Sequence, residues 1–201
     1  MDTSLVGSES VQLLSSITGE QLRPQDLTPT MVFIAALVTV LLGLVYADGM
    51  VETEEKQWLQ ATLEQCIPLE TNMRRLTHLL FRGVIKNQVY AKTHQLLTLT
   101  ASLSQPERLL LLGFCYQMSA ANNKVDYREQ RYLQAIAKRL RIERQHLTVL
   151  EHQFHEQATL EPGAVAEVQA LLNPAQFYRL DSLLVQAARD MLAVLPRASV
   201  Q

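Results

Sequence analysis

Apolar residues recur at helical spacing through most of the chain, and no segment alternates apolar and polar residues as a half-buried strand would. The expected fold class is therefore all-α. Helix starts are marked by capping chemistry. Thr28 and Pro29 stand as N-cap and first helical residue, Ser104 and Glu107 form a capping box, and Asn173, Pro174 and Gln176 repeat that logic. These signals predict helices beginning near Pro29, Gln105 and Pro174. Further helices are expected at about 52–66, 70–101 with a break near Gly83, 126–140, 143–157 and 162–172. Residues 1–27 are polar with short apolar pieces and are expected to form an arm rather than a core element.

A shift of 74 residues places "YADGMVETEEKQWLQA" (46–61) on "AANNKVDYREQRYLQA" (120–135). Val51 falls on Val125, Glu52 on Asp126, Glu55 on Glu129 and Trp58 on Tyr132. In both copies an apolar helix precedes the motif and an amphipathic one follows it. The expectation is two helix-loop-helix units, near 31–66 and 105–140, packed about a pseudo-twofold axis.

From Leu27 to Ala47 there is no charged residue, so a membrane span has to be weighed. Thr28 to Thr30 read better as a helix start, which leaves a run of 17 residues, Met31 to Ala47, at the short end of the spanning range. The acidic C-terminal flank lacks the cationic cluster that sets orientation. The repeat partner carries Tyr116, Gln117 and Ser119 and could not span a bilayer. A helix apolar on every side is expected at the centre of a bundle, so a buried helix is expected, with a membrane-peripheral protein anchored by residues 31–47 as the alternative.

Composition narrows the function classes. With 48% apolar and 19% charged residues in 201, the chain can bury a core, which argues against disorder. A net charge of −2 with dispersed basic residues gives no footprint for nucleic acid. Cys66 and Cys115 have no metal-ligand spacing and read as buried thiols in a reducing compartment. "MDTSLVGSES" lacks a basic region leading into an apolar one, so a cytoplasmic location is expected.

Candidate chemistry concentrates in the repeated loops. Asp48, Glu52 and Glu55 lie on a loop and the first turn of the next helix, where carboxylates can converge on a hard cation of the Ca²⁺ or Mg²⁺ type. Acidic residues also favour helix N-termini without any metal, and Asp126 with Glu129 fits a D-x-x-E capping box. The spacing is not that of an EF-hand, because Met50 and Leu59 fall where oxygen ligands belong. Asn122 replaces the loop aspartate in the second copy, so Asn122, Asp126 and Glu129 form a weaker second site.

The motifs "ADG", "VETEE" and "WL", with the degenerate copy near "KVDYREQRYL", resemble the tellurite-resistance TerB family, whose helical module is also found fused to J-domain co-chaperones. The resemblance covers residues 28–157, with 1–27 and 158–201 outside it. It implies an all-α, internally duplicated bundle of bacterial stress-response systems, with an acidic face that binds a divalent cation. Asp48, Glu52 and Glu55 carry over as ligands, and Asp126 and Glu129 as weaker ones.

Other features point to packing. His152 and His155 in "EHQFHE" share a helix face but lack a third ligand, and read as a solvated face. His78, His94 and His146 are isolated and have no assigned role. No nucleophile stands in a catalytic setting and no glycine-rich loop cradles phosphate, so a non-enzymatic module is expected. Its partner would be a protein, or no metal would bind and the module would be a helical adaptor. Residues 174–197 read as one long amphipathic helix, with Leu180, Leu183, Leu184, Ala187, Met191 and Leu195 on its apolar stripe. That helix is expected to pack on the bundle, though a homodimer exchanging it would use the same residues.

Overall fold

In a computed structural model, described for residues 7–47, 57, 59, 61–62, 71–120, 127–152 and 160–195, the chain is all-α. Nine α-helices are present among these residues, and no strand: α1 Ser8–Thr18, α2 Pro29–Val45, α3 Thr71–Asn87, α4 Thr93–Thr100, α5 Gln105–Ala120, α6 Tyr127–Arg139, α7 Arg144–His152, α8 Pro162–Leu171 and α9 Ser182–Val194.

Helix α2 is the axis of the bundle. It begins where its cap dictates, with the Met31 amide donating to Thr28 Oγ1 at 3.1 Å. Every residue from Thr30 to Val45 is buried, because α3, α4, α5 and α6 all pack against it. The polar Thr39 is accommodated by donating its hydroxyl to the Ala35 carbonyl at 2.8 Å. Among the described residues no helix is long and apolar enough to cross a membrane. The apolar run is met by other helices of the same chain.

The Ser104–Glu107 capping box is formed, with the Ser104 amide donating to Glu107 Oε2 at 2.7 Å and the Glu107 amide to Ser104 Oγ at 3.4 Å. Helix α5 then packs on α2, and α6 returns against both. At a shift of 74 residues some burial states agree and others differ, Met31 being buried where Gln105 is exposed. Leu59 and Leu133 are buried, as are Thr62 and Ile136, while Gln57 and Arg131 are exposed.

Four expectations are corrected. Residues 8–18, expected as part of an arm, form α1, which lays Val11, Leu14 and Ile17 against α3 and α4, with Leu14 fully buried. Three apolar residues spaced by three suffice for a one-sided stripe, even in a polar segment. Gly83 does not break a helix. It lies inside α3 where a Cβ would run into the Ile17 carbonyl oxygen, so glycine lets α1 and α3 cross closely. The break comes at Gln88, in the left-handed region at φ 49°, before a single 3-10 turn.

The helix expected from Pro174 is also divided. Pro174–Phe177 is a 3-10 turn, and α9 starts only after Asp181, whose side chain accepts from the Leu183 amide at 2.9 Å. The Asp181 amide donates to Thr30 Oγ1 at 2.8 Å, which ties this segment to the start of α2. The fourth correction follows from that division. Leu180, Leu184, Met191 and Leu195 are buried as expected, but Leu183 is exposed and Ala187 half-buried, since the helix phase is set from Asp181.

Candidate functional site: the ends of the two core helices

The sequence-derived ligands Asp48, Glu52, Glu55, Asn122 and Asp126 lie outside the described residues. The structure does describe the helices from which their loops depart, and Glu129. The first loop leaves α2, which closes with the Tyr46 amide on the Leu42 carbonyl at 3.0 Å and the Ala47 amide on that of Leu44 at 2.9 Å. Tyr46 stacks on Tyr90 with ring centroids 5.0 Å apart and planes 11° off parallel, which fixes the departure point of the chain. On either side of the second motif, α5 ends at Ala120 and α6 begins at Tyr127. Both loops therefore start at the carbonyl end of a core helix, whose partial negative charge favours a cation.

Glu129 stands in the first turn of α6 and is only 2% exposed. Ser119, near the end of α5, donates its hydroxyl to Glu129 Oε2 at 2.9 Å. A buried carboxylate without donors would be strongly destabilising, so this contact is part of what permits the burial. Three residues on, Tyr132 donates its hydroxyl to the Val40 carbonyl at 3.1 Å and fills the space beside Gly43. That close approach docks α6 on α2.

Of the "EHQFHE" segment only Glu151 and His152 lie among the described residues, and both are less exposed than a solvated face. Glu151 and His152 are half-buried, and Glu151 Oε1 accepts the Tyr116 hydroxyl at 2.8 Å, joining α7 to α5. His155 lies outside the described residues. Cys115 is a free thiol buried in α5, and burial pushes its pKa well above the ordinary thiol range. It packs as an apolar side chain, as expected; Cys66 lies outside the described residues. His146, to which the sequence assigns nothing, is 3% exposed and faces Glu167 of α8. The i, i+3 spacing of Glu143 and His146 was the available signal, but Glu167 is 21 positions further along the chain and on another helix.

The family model described as "Tellurite resistance protein TerB" matches residues 34–152, more than half of the chain. No curated protein and no solved structure matches the chain.

Proposed function

Since the chain belongs to the tellurite-resistance TerB family, we propose that it is a non-catalytic, cytoplasmic stress-response module binding a divalent cation through the first acidic loop. One observation carries the reading. Glu129 is engaged by Ser119, whereas the position that matches Ser119 in the first copy is Val45, which has no hydroxyl to offer. In the 74-residue register, the hydroxyl that Glu129 accepts thus falls on an apolar side chain in the first copy. The second copy serves structure, and the first keeps its carboxylates for chemistry.

A Ca²⁺ or Mg²⁺ ion at Asp48, Glu52 and Glu55 would relieve the repulsion among three carboxylates and stiffen the loop. The loop, with the Tyr46–Tyr90 stack at its root and Tyr46 partly exposed, would then offer a protein partner one fixed surface. The alternative is a helical adaptor in which the same acids only cap a helix. Titration calorimetry with Ca²⁺, Mg²⁺ and Mn²⁺ separates the two. Binding heat in the wild type and in Glu129→Gln, lost in Glu55→Gln, is the expected result. Absence of heat with every ion would leave the adaptor.

A further inference from the structure

A second cluster of donor atoms lies away from the acidic loops, where α8 packs on α7. Glu143 precedes the first turn of α7, and its carbonyl accepts from the Leu147 amide at 3.0 Å. His146 follows on that turn, and Glu167 projects from the middle of α8. One donor atom from each of the three lies within 4.8 Å of the other two. His146 Nε2 and Glu167 Oε2 are 2.8 Å apart.

The three donors differ in freedom. The imidazole is buried with Nε2 directed at the Glu167 carboxylate, whereas Glu143 and Glu167 are exposed and can adjust. The Gln145 amide nitrogen donates to both, at 3.1 Å to Glu143 Oε2 and 3.4 Å to Glu167 Oε2. An electropositive group therefore already sits between the two carboxylates, and since Gln145 is exposed it can swing away. Zinc–nitrogen and zinc–oxygen bonds of about 2.0–2.2 Å set tetrahedral ligands roughly 3.4 Å apart. The two exposed carboxylates are the donors with room to adjust toward that spacing. The positive end of α7 opposes a cation here, but two full carboxylate charges outweigh a partial charge of about half a unit.

We infer that Glu143, His146 and Glu167 form a binding site for a Zn²⁺-class divalent ion, which staples α8 to α7. One imidazole and two carboxylates, with the solvent-facing fourth position left to water, suit zinc better than the all-oxygen preference of Ca²⁺ or Mg²⁺. Glu167 lies beyond residue 152, where the family match ends, so the ion would join the TerB-family unit to its C-terminal extension. The site shares no residue with the acidic loops, and its success or failure is independent of theirs.

The test is Zn²⁺ titration of the full chain by calorimetry, with thermal unfolding alongside, on wild type, Glu143→Gln, Glu167→Gln, His146→Ala and Glu55→Gln. The wild type should bind one Zn²⁺ at this site, shift the His146 imidazole NMR signals and gain thermal stability. Zn²⁺ affinity should fall at least about tenfold in the Glu143 and Glu167 variants, with the stability gain lost, whereas the Zn²⁺-induced shift of the His146 signals should persist in Glu55→Gln, which alters the acidic loop alone. His146→Ala also opens a buried cavity, so the exposed glutamates keep the test separate from folding. Absence of Zn²⁺ binding, or equal affinity in wild type, Glu143→Gln and Glu167→Gln, would overturn the assignment.

Discussion

Ser119 donates its hydroxyl to Glu129 Oε2 at 2.9 Å, joining the end of α5 to the first turn of α6. Both residues are buried, so neither is compensated by water if the other is lost. Ser119→Ala should therefore lower stability by about 1–3 kcal/mol, the cost of leaving a buried acceptor short of a donor. Urea unfolding checks this, and a midpoint equal to the wild type would contradict it.

Gly43 and Tyr132 share one space on the α2–α6 contact. Gly43→Ala should destabilise by about 1–3 kcal/mol through overpacking, because the new methyl would meet the phenol. Tyr132→Phe should cost about 0.5–1.5 kcal/mol for the bond to Val40. The double variant should be less unstable than the sum, since phenylalanine removes the oxygen nearest the methyl. Simple additivity in denaturant melts would show that the two side chains do not collide.

Leu14 makes α1 part of the cooperative unit. It is fully buried where α1 meets α3 and α4, so Leu14→Ala should cost about 2–5 kcal/mol. A dispensable segment would give a change within about 0.5 kcal/mol, as surface substitutions do.

Stability should fall on the alkaline side. Burial raises the Cys115 thiol pKa, and burial also raises those of the Tyr116 and Tyr132 phenols, with Glu151 adding to the rise at Tyr116. Each group thus holds its proton more tightly folded than unfolded, and above the unfolded pKa the unfolded chain binds fewer protons. The thiol contribution is complete below about pH 8.5 and is lost as pH rises above it, followed by the tyrosines above about pH 10. Urea midpoints measured from pH 7 to 11 should decline in that order, and Cys115→Ala should flatten the first part.

Much of the fold was legible because its signals are local. The Thr28 cap and the Ser104–Glu107 box act over three residues, and each appears where the sequence places it. The uniform apolarity of α2 could be satisfied only by burial on all sides, and the bundle supplies it. Gly83 misled for the converse reason. Glycine at a close helix crossing looks the same in sequence as glycine at a helix end, and only the position of Ile17 tells them apart. His146 seemed isolated because its carboxylate partner comes from a different helix.

By itself, then, the sequence determined the all-α class, the helix starts at the Thr28 and Ser104 caps and the resemblance to the TerB family. Each depends on residues within about four positions of one another, the reach of one helical turn. Tertiary structure alone decided which residues meet across the chain: Tyr132 with Val40, Asp181 with Thr30, and His146 with Glu167. Those pairs arise because apolar stripes on separate helices are buried against each other. Where a polar side chain is carried by that packing depends on the shape of both helices at the contact, and no short stretch of sequence encodes it.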